Sequence, residues 1–256
     1  MDRQAPEAWS LRGRVALVTG ASGSLGAEVS RVFASRGASV AVHGRQEARL
    51  ARLVEEISAA GGTARAFVGD VTDASHLAGT ARAVEAELGS IDTLVTLAGG
   101  DGSPERSADL APDRWREVIE TDLTSTFLTI HAALPQLLKA GDSSIVTVAS
   151  TAGRRASRAN AAYAAAKAGV VMLTEHLAKE YAAAGVRVNC VAPSVVETDT
   201  LRSRMPADQL DALAAHVPLG RLGQSADVAQ AIAYLSAGAS SWITGTTLDI
   251  TGGMTL

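Results

Sequence analysis

Arg14-Val-Ala-Leu-Val-Thr19, followed at once by Gly20-Ala21-Ser22-Gly23-Ser24-Leu25-Gly26, decides the fold of this chain. A continuous apolar run that ends in a glycine-rich turn and leads into helical apolar spacing over residues 25–36 reads as a buried parallel strand feeding a helix. Gly37 stops that helix, and residues 38–42 restart as a strand, which completes one βαβ unit. The alternation then continues. Helices are expected over 46–60, 74–88, 113–139, 160–184 and 227–237, with strands over 64–68, 91–97, 144–149, 186–191 and 246–250. Pro135 is expected to bend or end the long helix. Between Pro193 and Ser225 the pattern is irregular, and residues 194–218 are the expected substrate lid. The fold class is therefore α/β: one Rossmann-type doubly wound parallel sheet of about seven strands with helices on both faces, over residues 1–256 as a single domain.

The glycine turn also carries chemistry. Gly20 and Gly26 sit where a strand becomes a helix, so the backbone can approach a pyrophosphate whose charge the helix start favours. Far downstream stands Tyr163-Ala-Ala-Ala-Lys167, with Ser150 thirteen positions before the tyrosine. Residues four apart share one helix face, so the lysine cation can favour a phenolate whose ordinary pKa of about 10 is too high for proton exchange near neutrality. Ser150 is placed to hold a substrate oxygen. These groups read as a hydride-transfer site in which two hydroxyls would stabilise the developing alkoxide and Tyr163 would give up its proton.

The order of motifs resembles the short-chain dehydrogenase/reductase family, and 3-oxoacyl-carrier-protein reductases within it. The resemblance runs from about residue 14 to residue 253 through the glycine turn, Gly69-Asp70-Val71, Leu97-Ala98-Gly99, Ser150, Tyr163-x-x-x-Lys167, Asn189-Cys190-Val191-Ala192-Pro193 and Thr251-Gly252-Gly253. It implies Tyr163 as general acid or base, Lys167 as its activator and ribose ligand, and Ser150 as substrate anchor. It implies further that Gly20, Ser22, Ser24, Leu25, Gly26, Arg45, Asp70, Val71, Ala98, Gly99, Pro193 and Thr198 line the cofactor, with Asp70 and Val71 at the adenine and Thr198 at the nicotinamide carboxamide. Gly44 stands where NAD-preferring relatives carry Asp, and Arg45 can pair with a 2′-phosphate, so NADP(H) is expected over NAD(H). Homotetramers built on the helices at 113–139 and 160–184 are implied as well.

The chain departs from the family at four places. Ser24 replaces a small residue of the turn, Thr96-Leu97 replaces two asparagines, Ser194 replaces a glycine, and Asp122 stands where an asparagine is usual. Two outcomes are open for Asp122: a carboxylate beside Lys167, offsetting part of its field, or a side chain turned elsewhere with only the backbone in use. An NADP(H)-dependent ketone reductase or alcohol dehydrogenase leads. The substrate is a small carbonyl or alcohol, free or carrier-bound, and Arg154, Arg155 and Arg158 are candidates for its entrance. A non-redox or cofactor-binding regulatory member is the alternative, motivated by residues 96, 97 and 122.

Composition narrows the remaining classes. With 47% hydrophobic but only 4% aromatic residues in 256, the core must be built from Ala, Val, Leu and Ile. A formal charge of −4 offers no basic footprint for nucleic acid. Apolar runs are interrupted by charges before the roughly 18 residues that a membrane span needs, and the first dozen residues lack an apolar h-region, so a cytoplasmic protein is expected. Cys190 is the sole cysteine, and the five histidines have no ligand spacing, so no metal site is expected.

Overall fold

The computed structural model describes residues 7–100 and 102–255. The chain runs through β1 (Val15–Thr19), α1 (Ser24–Ser35), β2 (Ser39–Gly44), α2 (Glu47–Ala59), β3 (Thr63–Val68), α3 (Ala74–Glu87), β4 (Thr93–Thr96), α4 (Pro112–Ile119) and α5 (Ser125–Ala140). It continues with β5 (Ser143–Val148), α6 (Ala161–Tyr181), β6 (Val186–Pro193), β7 (Val196–Glu197), α7 (Asp199–Arg204), α8 (Ala207–Ala214), β8 (Gly223–Gln224), α9 (Ser225–Ser236) and β9 (Thr247–Ile250). Among the described residues the main sheet has seven strands in the order β3-β2-β1-β4-β5-β6-β9, all parallel.

Alternation within the strands builds two cores. Val18, Val42, Val95 and Val146 face one side and pack with Phe33, Leu50 and Ile232 of α1, α2 and α9. Leu17, Ala41, Leu94 and Ile145 face the other side, under Val84, Ile130 and Leu137 of α3 and α5. Both faces of each central strand are dry, as its uninterrupted apolar sequence requires. The strand order reverses direction between β1 and β4, so the crevice at their carboxyl ends is the ligand position of a doubly wound sheet.

Two expectations need correction. Pro135 does not end the long helix: α5 passes through it to Ala140. Its missing N–H frees only the carbonyl of His131, and both residues are exposed, so water can take the bond. The interruption lies earlier, in a π turn over Glu120–Thr124 between α4 and α5. Hydroxyls fill the loosened ladder there: Thr121 Oγ1 donates to the Glu117 carbonyl at 3.0 Å and Ser125 Oγ to the Thr121 carbonyl at 2.7 Å. The stretch after Pro193 is not irregular throughout either. It holds α7 and α8, of six and eight residues, which are too short to display a helical period in sequence.

Candidate active site

The turn from β1 to α1 forms one end of the crevice. Gly20 has φ +69°, and a β-carbon on it would lie 2.8 Å from the Leu97 carbonyl carbon, so this backbone passes directly against the chain leaving β4. A β-carbon on Gly26 would stand 2.3 Å from the Gly20 oxygen, so only glycine lets α1 pack on its own turn. No side chain caps the N-terminus of α1, whose first N–H groups and positive dipole end face the crevice as an anion cradle. That cradle fits a dinucleotide pyrophosphate. Ser24 is the first residue of α1, with Leu25 behind it, and its hydroxyl donates to Asp199 Oδ2 at 2.9 Å while accepting from Asp199 N at 3.3 Å. The departure at position 24 therefore ties the turn to the start of α7.

At the far end of β2, Gly44 lies against Ser22. A β-carbon at 44 would stand 2.8 Å from Ser22 Oγ. Arg45 is the next residue, 78% exposed at its side chain and only loosely held, 4.0 Å from Asp70. Asp70 accepts from Thr72 N and Oγ1 at 2.9 and 2.8 Å, and these bonds hold its carboxyl below the usual range. Val71 follows it, half-buried. Pro193 ends β6, and Thr198 caps α7 by accepting from Leu201 N at 3.2 Å, which leaves its hydroxyl proton able to donate into the crevice.

Tyr163, Lys167 and Asp122 come together between α6 and the π turn, and Ser150 stands two residues beyond the Val148 carbonyl of β5 that binds Lys167. Ser150 Oγ accepts from Ala152 N at 3.2 Å, so its proton remains available to a substrate oxygen. The loop behind it is seated on α6, since a β-carbon on Gly153 would stand 2.4 Å from the Lys167 carbonyl carbon. Asn160 caps α6 by accepting from Tyr163 N at 2.8 Å, and its amide donates to the Ser103 carbonyl at 3.1 Å. Gly102 covers the tyrosine ring, with a hypothetical β-carbon 3.0 Å from Cε1. Lys167 Nζ lies 5.6 Å from the centre of that ring.

The structure also decides between the two outcomes for Asp122. Its Oδ1 is 3.2 Å from Lys167 Nζ and accepts from Gly100 N at 2.6 Å; the two side chains of this ion pair are 1% and 6% exposed. Ala98 leads into Gly99, whose φ of +107° and absent side chain make room for the carboxylate: a β-carbon would be 2.7 Å from Oδ1. The Val148 carbonyl takes a second Lys167 N–H at 3.2 Å. The lysine thus stands between a full negative charge and a carbonyl, behind the tyrosine.

Some residues stand apart from this centre. Arg154 is committed to Asp249 at 2.9 Å, while Arg155 and Arg158 are exposed. Cys190 is buried, which raises its thiol pKa and keeps it unreactive. Neither ring nitrogen of His43 has a hydrogen-bond partner, and burial brings its pKa down to about 4. It is a neutral part of the core. Gly102, Gly153, Asn160 and the π turn escaped the sequence reading. Of these, only Asn160 had a usable signal, as a capping residue three positions before Tyr163.

The family model described as enoyl-(acyl carrier protein) reductase matches residues 20–255. This chain belongs to the short-chain dehydrogenase/reductase family. It is 36% identical over 247 residues to the 3-oxoacyl-[acyl-carrier-protein] reductase of Salmonella typhimurium, covering 96% of this chain and 98% of that protein. It is 41% identical over 246 residues to cis-4-hydroxycyclohexanecarboxylate dehydrogenase of Sinomonas cyclohexanicum, covering 94% and 96%. A solved 7α-hydroxysteroid dehydrogenase, complexed with NADH and 7-oxo glycochenodeoxycholic acid, superposes with a TM-score of 0.91 at 32% identity over 96% of each chain. As a short-chain dehydrogenase/reductase the protein is an NAD(P)-dependent oxidoreductase. Among the described residues no helix is long and apolar enough to cross a membrane, and no cluster of side chains could hold a metal ion.

Proposed function

We propose that the protein is an NADP(H)-dependent ketoreductase in which Tyr163 is the general acid or base. The observation that carries this reading is the grouping of Ser150, Tyr163 and a buried Lys167 beside the crevice at the carboxyl ends of the strands. When bound, the dinucleotide supplies or takes up the hydride at the carbonyl carbon. Ser150 donates a hydrogen bond to the substrate oxygen and fixes its position. Tyr163 gives that oxygen its proton in reduction and takes it back in oxidation. Lys167 holds positive charge near the phenol, Asn160 fixes the first turn of α6, and Gly102 closes the ring from one side. Gly20, Ser22, Ser24, Leu25 and Gly26 would cradle the phosphates. Asp70 and Val71 would meet the adenine, and Ala98, Gly99, Pro193 and Thr198 would line the nicotinamide end.

Preference for NADP(H) is supported by Gly44, which offers no carboxylate to a ribose, and by the loosely held Arg45 beside it. The substrate is a ketone or secondary alcohol. Relatives act on carrier-bound 3-oxoacyl groups or on a hydroxycyclohexane acid by their names, and both are ketone–alcohol pairs at a secondary carbon. Residues 194–218 act as the lid and the active form is a homotetramer. The test follows NADPH absorbance over a ketone panel with the parent and Tyr163→Phe. The variant should lose at least about a hundredfold in kcat, the range of positioned acid catalysis, while binding NADPH within a few-fold. Activity above a hundredth of the parent rate would refute the role of Tyr163. A parent that binds NADPH but reduces no ketone would favour a regulatory member, a reading to which the charge of Asp122 on Lys167 lends weight.

A further inference from the structure

Arg204, the last residue of α7, is unused by the chemistry above. Other arginines of this region are neutralised: Arg202 pairs with Glu197 at 3.2 Å and Arg221 with Asp227 at 2.7 Å. Arg204 has no carboxylate within ion-pair distance among the described residues. Its Nη1 instead donates to Ser103 Oγ at 3.3 Å, reaching from the proposed lid to the opposite wall. That wall is the reaction centre's own. Gly102 lies on the ring of Tyr163, and the Ser103 carbonyl is bound by Asn160, which caps Tyr163. Ser103 directly follows the glycine that touches the ring, so one Cα–Cα step, the serine side chain and the 3.3 Å hydrogen bond put the guanidinium on the order of 10 Å from the phenol. Among the described residues this cation is held by one neutral hydroxyl, on the segment that touches the Tyr163 ring, and such a cation suits an anionic group on the substrate.

We propose that Arg204 binds a carboxylate of the substrate, and that the preferred substrates are oxo acids whose carboxylate and carbonyl are separated by several bonds. The forked guanidinium exchanges the Ser103 hydroxyl for a carboxylate, while the carbonyl lies at Ser150 and Tyr163. A 2-oxo acid is too short to reach both ends. The inference rests on the ketoreductase reading and deepens it.

The test measures kcat/KM with NADPH for 4-oxocyclohexanecarboxylate, its methyl ester, cyclohexanone, pyruvate and the N-acetylcysteamine thioester of 3-oxobutanoate, in the parent, Arg204→Gln and Arg204→Lys. The parent should favour the oxocyclohexane acid over its ester. In Arg204→Gln the acid-to-ester ratio should fall roughly 10- to 100-fold, the worth of hydrogen bonds to a charged group, and mainly through KM. Arg204→Lys should restore part of the ratio. An unchanged ratio, a parent indifferent to acid and ester, or a preference for pyruvate or the neutral thioester would overturn the proposal while leaving the ketoreductase reading intact. Failure to reduce any of the five compounds would overturn both.

Discussion

Asp122 shows how much one atom can change at the residue scale. Asparagine at that position would offer Lys167 and Gly100 the same oxygen without the charge, whereas here a full negative charge lies 3.2 Å from Nζ with both side chains buried. The pair is in an environment where Coulomb attraction is only partly screened, so the carboxylate offsets the field that the ammonium casts on the phenol. Asp122→Asn should therefore move the acid-side limb of the oxidative kcat/KM profile to lower pH, since it removes the negative charge beside Lys167. An unmoved limb would mean that the carboxylate has no part in tuning the tyrosine. A limb displaced upward would mean that the aspartate serves to hold the lysine, a role asparagine cannot fill. The sequence already showed that a charge stood at 122, and motif order alone picked out Ser150, Tyr163 and Lys167. The direction of the carboxylate was hidden, because it depends on the π turn and on the positive φ of Gly99, which come from packing rather than from local pattern.

At the scale of elements, β1, β2 and the helices after them were legible because apolar runs and glycine stops are local signals. What lies beside what was not. Gly44 and Ser22 are 22 positions apart, yet the register that pairs Thr19 with His43 brings them into contact at the end of β2. That contact shapes the cofactor experiment. An aspartate at 44 has to displace the Ser22 hydroxyl, which can rotate away, and its carboxylate would then face the ribose while repelling a 2′-phosphate. Combining Gly44→Asp with Arg45→Ser should lower the ratio of kcat/KM for NADPH to that for NADH at least tenfold, about 1.4 kcal/mol of discrimination. A parent enzyme that already prefers NADH would remove the basis of the 2′-phosphate argument.

The whole molecule presents apolar surface where its longest helices meet solvent. On α5, Phe127, His131, Pro135 and Leu138 are exposed at helical spacing, with Phe127 at 47%. On α6, Ala165, Ala168 and Met172 form a similar outer row, and Met172 is 62% exposed. Small residues beside a few large ones let helix backbones approach closely, and a stable interface needs about 1,200–2,000 Å² of total buried surface, which two such helices from each copy can supply. We therefore expect light scattering at micromolar concentration to give four times the mass of the chain. Phe127→Glu with Met172→Glu should shift the mass toward smaller species, since charges cannot be buried there unpaired. The inner face of α6 carries Lys167 and the outer face carries Met172, so the helix whose position sets the catalytic lysine is the one the interface would clamp. The dissociated variant should accordingly lose kcat more than NADPH affinity. A parent of single-chain mass would refute the assembly, and a dissociated variant with unchanged kcat would separate assembly from catalysis.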